Sequence, residues 1–593
     1  MVYETPGALA LLDTSGATTS ALDAPPGAKA LAAFADLLLV GGPTSPDLWA
    51  YRLQGSALVR APERDVHAFA ARGVRSLATT NRCIYGVDQR SDELRFHCGD
   101  RAGAVPVPRG PTQVVATPDH VLVTSPVSHV VTVFDATERG PVTSPIATIP
   151  NDGPLFVTSA AERGGDLFVA SGGVENHPLD RRGGSFGYVD SFLYVHLVGK
   201  GHVDTVAAIN VGEHGVVTPR ALLTHIDGDA LVVTAAAYGS DRGAVITVPL
   251  SQRAGSSTEP RVTTFAAAPG IVALARTADG TLLGASRILD GIIALGDEPH
   301  RLESTPLEVD AEDAELRLGE AMFFTTAMAP WQSSEGPLSR FTCETCHFEG
   351  GIDGRIHATG RADIVATTKP LFGLLNNGPH FTRALDEDMA TMIFAEFRVA
   401  AKNSGHDAWF DLGEAPIEWI RREPWYGATA HDAPALRHAL FSYLASSPHP
   451  PPEGAGRDHF DVSEQRGAEV FEDRCASCHA ARLIASDPQS EVAFDDWEGL
   501  VLSTAGPIVW ARDGYEKTGV VPYVHTDGAR PSSLRRISRK TPLFTNGTAR
   551  SLEEVVEGAR FDAGTFFHAG GSARAERLDA QQARDLVAFL KLL

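Results

Sequence analysis

The sequence predicts a multi-domain protein: an N-terminal all-β propeller of about seven blades, followed by a mainly α region of two related modules. Three observations lead there. The chain has 593 residues, too long for one ordinary core and in the range of two to four domains. Up to about residue 305, short apolar or alternating runs are punctuated by Gly, Asp, Pro and Ser, with no long 3.6-residue period. Beyond that point helical texture takes over and two short cysteine clusters appear.

Composition sets the outer limits. With 43% hydrophobic and 21% charged residues the chain is globular. No run of about 18 apolar residues is present, so no membrane span is expected. Lys+Arg of 51 against Asp+Glu of 74 gives a net charge of −23, which repels phosphate backbones and anionic surfaces and excludes nucleic acid as a partner.

The elements follow in chain order. Leu37–Val40, Val121–Val123, Val130–Asp135 and Ala244–Val248 read as strands. At about 40–45 residues per four-stranded blade, residues 1–305 hold about seven blades. Within them Cys83 and Cys98 fit a disulfide formed in an oxidising compartment, with two free buried thiols as the alternative. Glu308, Asp310, Glu312, Asp313 and Glu315 place negative charge at the start of a helix. Two modules then occupy 306–446 and 447–593, the second opening on the stiff spacer Ser447-Pro448-His449-Pro450-Pro451-Pro452. The chain closes on an amphipathic helix over Leu578–Leu593, with Leu586, Val587, Phe589 and Leu590 as its core face.

The cysteine clusters carry the chemistry. Cys343-Glu344-Thr345-Cys346-His347 and Cys475-Ala476-Ser477-Cys478-His479 are both C-x-x-C-H, against a chance expectation of about 0.002 from composition. Two thiols on one helical turn can form thioethers to two vinyl groups, and the adjacent imidazole then reaches the iron. The pattern therefore predicts two covalently attached haem c groups, bound through Cys343, Cys346, Cys475 and Cys478, with His347 and His479 as iron ligands. A thioredoxin-like dithiol or a zinc shared by two pairs are the alternatives, and neither needs the histidines. The α region is thus expected to be a di-haem cytochrome c region of two class I-like modules. Covalent haem c is attached outside the cytoplasmic membrane, which points to a periplasmic or secreted protein. The start, Met1-Val2-Tyr3-Glu4-Thr5-Pro6, has no basic and apolar leader, and the expectation is that a signal peptide has been removed.

The modules echo each other. Each has an approach helix (Leu318–Phe324; Arg466–Phe471), then C-x-x-C-H, then a turn and a following helix (Lys369–Phe372 to Glu387; Thr541–Gly547 to Val556). With Gly350-Gly351-Ile352-Asp353-Gly354-Arg355 and Pro531-Ser532-Ser533-Leu534-Arg535, these pieces resemble the bacterial di-haem cytochrome c peroxidase family, which includes the MauG-type enzymes, over residues 310–593. The stretch Ser128–Thr137 with Ile149-Pro150 resembles a repeat of the YVTN-type propellers.

The peroxidase resemblance implies roles. The haem on His347 would meet hydrogen peroxide, and the one on His479 would relay electrons from a small redox protein or other donor. Glu396 lies near where the family places its distal acid/base carboxylate. His357 is a candidate sixth ligand of the first haem, or a partner for a propionate. The family's second distal ligand, methionine or tyrosine, aligns with Ala559, which cannot ligate; His568 is the nearest replacement, with His525 behind it. Two histidines would give a lower potential than His/Met. The resemblance also implies a calcium ion, with Asn376 or Asn377 as candidates.

The expected function is a periplasmic di-haem oxidoreductase using hydrogen peroxide as oxidant, either peroxidase-like or MauG-like with a protein substrate. A non-catalytic di-haem electron carrier with the propeller as docking or substrate-binding module is the alternative. A catalytic propeller passing electrons to the haems is a third.

Overall fold

In a computed structural model of the chain, the described residues are 2–3, 8–12, 18–25, 27–70, 73–176, 189–250, 259–302, 311–327, 342–358, 365–371, 374, 380, 386–393, 417–446, 461–479, 534, 536–562, 565–568 and 575–593. They form two compact units, Met1–Thr345 with Leu412–Thr429, and Cys346–Asp411 with Ala430–Leu593.

The first unit is built on seven consecutive antiparallel sheets among the described residues, the first of three strands and the rest of four or five. The expected strands are there, as Leu37–Gly41, His120–Ser125, Val130–Thr137 and Arg242–Pro249. From the second sheet onward, the first strand of each lies beside the first strand of the next, the arrangement of a propeller. The cores sit between neighbouring sheets. Tyr85 and Leu94 pack with Val121 and Val123, Leu122 and Val133 with Leu167 and Val169, and Ala170 and Val195 with Val233 and Ile246. Each such buried side chain contributes about 1.5–3 kcal/mol relative to exposure, so alternation along the strands drives the sheets together face to face. Cys83 and Cys98 are directly opposed across one ladder and form a disulfide with Cα atoms 4.3 Å apart. Gly99, at φ 62°, supplies the left-handed residue of the tight turn that follows.

Helical pieces from beyond residue 305 belong to this unit. Helix Ala311–Phe324 sets Phe324 edge-on to Tyr238 at 5.4 Å, and Thr326 N–H donates to Gly239 O at 2.8 Å. In the segment 417–429, Trp419 Nε1 donates to Ala267 O at 2.8 Å and Glu423 accepts from Arg301 at 2.5 Å.

The second unit is mainly α. Helix Val462–Arg474 begins with a capping box in which Glu464 accepts from Asp461 N–H at 2.7 Å. It packs on the C-terminal helix, Ala580–Leu590, shorter at both ends than the amphipathic stretch. At Gly467 a Cβ would lie 2.0 Å from the Asp585 carbonyl, so only glycine permits this approach. Asp585 joins the two helices by accepting from Arg466 Nε at 2.7 Å and from Ser463. Phe471, Leu543, Leu552, Val556, Leu586 and Phe589 close the core beneath.

Candidate haem sites

Cys343–Cys346 is one helical turn, so the two thiols lie on neighbouring positions of the same turn, as double thioether attachment requires. Thr342 and Thr345 pin it: Thr342 N–H donates to Thr345 Oγ1 at 2.9 Å and Thr345 N–H to Thr342 O at 3.0 Å. Burial pushes the Cys343 thiol up to about 12, the opposite of an activated redox dithiol. Between the cysteines, Glu344 is fully buried and ion-paired with Arg220 of the sixth sheet, whose guanidinium lies over the rings of Tyr238 at 5.1 Å and Phe156 at 5.6 Å.

In the second unit, burial lowers the pKa of His347, outweighing the Asp353 charge and the backbone of Lys369 and Gly351, which favour protonation. A neutral imidazole is the ligating form, and its Nδ1 is buried without a hydrogen bond of standard geometry. Downstream, Gly354 at φ 71° turns the chain so that Asp353 folds back on Arg355 and His357. Asp353 Oδ2 accepts from Arg355 Nε at 3.0 Å and from His357 Nε2 at 2.6 Å, while Oδ1 accepts from Arg355 N–H at 3.1 Å. Burial alone would raise the Asp353 pKa, but the charges of Arg355 and His357 hold it well below the carboxylate range. An ionised carboxylate only accepts, so His357 carries its proton on Nε2. Cys346 Sγ, the Asp353 carboxylate and a His357 nitrogen lie within 4.8 Å of one another. This places His357 beside Cys346, with Nε2 committed to Asp353.

The second motif starts where helix Val462–Arg474 ends: Cys475 is its C-cap and Ala476–His479 forms the next turn. His479 is buried. Helix Leu552–Gly558 stops at Ala559, and the hairpin Arg560–Asp562 with Thr565–Phe567 brings His568 back. The His479 and His568 rings lie 6.0 Å apart at 67°. Burial, with His479 adding to it, lowers the His568 pKa to about 3, so it too is neutral. The spacing leaves room for one metal ion between the rings at the ~2.0–2.1 Å typical of imidazole ligation. The donor sets at both motifs therefore fit haem c.

Glu396, Asn376, Asn377, His525 and the Cys478 side chain lie outside the described residues. The structure brings His568 to His479 and ties His357 to Asp353. Sequence reasoning missed Arg220 and the contact of Phe544, whose ring lies 5.8 Å from that of His568.

Residues 464–593 match the family model for cytochrome c. Over 203 residues the chain is 23% identical to the cytochrome-c peroxidase IdrP1 of Pseudomonas sp. (strain SCT), covering 30% of this chain and 50% of that protein. It thus spans about half the length of the curated relative it matches. Among solved structures, hydrazine synthase from Kuenenia stuttgartiensis is similar at 11% identity and a TM-score of 0.40, over 50% of this chain and 90% of that one. A putative 6-phosphogluconolactonase from Bacteroides uniformis is similar at 15% identity and a TM-score of 0.32, over 45% and 80%. The chain carries a C-terminal cytochrome c-like domain and an N-terminal propeller-like fold.

Proposed function

We infer that the protein is an extracytoplasmic di-haem c oxidoreductase that uses hydrogen peroxide as oxidant and takes electrons from a small redox protein or from a protein substrate. The observation that carries this reading is the pair of C-x-x-C-H motifs, each ending in a histidine whose Nδ1 is buried, the second with the His568 ring 6.0 Å from that of His479. The match to cytochrome c and the similarity to a cytochrome-c peroxidase support it. The Cys83–Cys98 disulfide supports an oxidising compartment. Among the described residues, no helix is long and apolar enough to cross a membrane.

Haem c, when bound, supplies one-electron redox chemistry at both sites and, at an iron with an open position, a place for peroxide to bind. Four cysteines, Cys343, Cys346, Cys475 and Cys478, would hold it, with His347 the candidate iron ligand at the first site and His479 and His568 those at the second. Asp353 holds His357 through Nε2, which leaves Nδ1 as the nitrogen at which a proton can be held or passed. Glu396 is the proposed distal acid/base.

The test is peroxide-dependent oxidation of a reduced small c-type cytochrome by the purified protein, alongside spectra of His568→Ala. Turnover is expected, together with conversion of one low-spin haem to high-spin in the variant. The His479–His568 arrangement alone also suits a pure electron carrier; absence of turnover would favour that reading.

A further inference from the structure

The loop Thr541–Gly547 reaches both histidine sites within the second unit. On one side the Phe544 ring lies 5.8 Å from His568, which is itself 6.0 Å from His479. On the other, the Phe544 carbonyl accepts from Thr367 Oγ1 at 3.0 Å and from Lys369 Nζ at 3.5 Å. The next carbonyl, of Thr545, accepts from Thr367 N–H at 2.8 Å. Two residues beyond Lys369, Leu371 N–H donates to Gly350 O at 2.8 Å, and Gly350 N–H donates to His347 O at 2.9 Å.

The loop is held in place at a cost. Phe544 sits at φ 67°, a left-handed conformation unfavourable for a residue with a Cβ, and such residues persist where their surroundings fix them. Here the fixing partners are the Thr367 and Lys369 donors. Gly547, at φ 66°, closes the loop flush against the hairpin Ile356–Ala358 and Val365–Thr367; a Cβ there would lie 2.8 Å from Ile356 and 3.1 Å from Thr367. Thr367 and Thr545 are both buried, so the joint is kept from water.

We propose that Phe544 and the Thr545–Thr367 hydrogen bond form the electron bridge between the two haem sites. The proposal rests on the di-haem reading above. One electron leaves the His479–His568 site, which is oxidised by one equivalent, and arrives at the His347 site, which is reduced by one; no atom moves between them. Electron tunnelling decays more slowly through covalent and hydrogen bonds than through gaps. The route is an aromatic ring, its own backbone, the 2.8 Å Thr367–Thr545 hydrogen bond, the backbone from Thr367 to Leu371, and the Leu371–Gly350 and Gly350–His347 hydrogen bonds at 2.8 and 2.9 Å.

The test uses the full-length haem-loaded protein. Haem content is counted by the pyridine haemochrome spectrum, both potentials are titrated, and the redistribution of one electron after flash reduction is followed optically. Phe544→Leu removes the ring and Phe544→Tyr keeps it, with Phe544→Met as substitute should the leucine variant lose haem. The expected result is redistribution slowed roughly tenfold in Phe544→Leu or Phe544→Met and unchanged in Phe544→Tyr, with two haems per chain and both potentials unmoved. A Phe544→Leu rate within about twofold of wild type overturns the bridge, as does slowing fully accounted for by a shifted potential. A wild-type count other than two haems refutes the di-haem reading itself, and the bridge with it.

Discussion

Replacing Glu344 with alanine is expected to destabilise the propeller-bearing unit by about 3–5 kcal/mol, the cost of leaving a buried charge without its partner. Glu344 is fully buried and its partner Arg220 is 13% exposed. The guanidinium lies over the rings of Phe156 and Tyr238, so water cannot replace the lost carboxylate. The loss falls on the C-x-x-C turn, because Glu344 stands between Cys343 and Cys346. Removing both charges, in Glu344→Leu with Arg220→Met, is expected to recover much of the loss, since a buried pair gains little net stability over apolar residues of similar size. Urea unfolding of the wild type, both single variants and the double variant gives the coupling. Single-variant losses under about 1 kcal/mol, the range of exposed pairs, would contradict the buried-pair account.

Asp353→Asn is the second large effect, again about 3–5 kcal/mol, and it falls on the second unit. The carboxylate receives Arg355 Nε, Arg355 N–H and His357 Nε2, and the Arg355 side chain is only 2% exposed. Asparagine keeps the shape and loses the charge, which leaves the guanidinium buried and uncompensated. The pH dependence separates this from a packing defect. The folded pKa of Asp353 lies well below its ordinary 3.8, so its stabilisation is fully present above that value and is lost as the pH falls toward the folded pKa. The difference in stability between wild type and Asp353→Asn is therefore widest at neutral pH and narrows progressively below pH 3.8. A difference that stays constant through the acid range would assign the loss to packing.

Local pattern made much of this legible. The sheets could be read because short apolar or alternating runs, such as Val130–Thr137 and Arg242–Pro249, are separated by Gly- or Asp-bearing turns at blade spacing. The motif cysteines and His347 and His479 are contiguous, so their grouping needed no tertiary information. His568 was reachable because Ala559 cannot ligate and the next imidazole lies just beyond Phe566-Phe567. What stayed hidden depends on distant contacts. Arg220 lies between Pro219 and Ala221 in a strand, and nothing near it signals a partner 124 residues away. The return of Trp419 and Glu423 to the propeller-bearing unit is set by Ala267 and Arg301, far off in sequence. Phe544 was visible in a turn beside Pro542 and Gly547, but a left-handed phenylalanine cannot be anticipated from residue preference, which disfavours it.

The most direct test of the central claim is the visible spectrum of the purified protein, oxidised and half-reduced, before and after one equivalent of hydrogen peroxide. The account predicts two c-type haems, one low-spin with His479 and His568 as ligands and one with a high-spin fraction at His347 that disappears on adding peroxide. Two low-spin haems that ignore peroxide in every state, or a protein without haem, would contradict it.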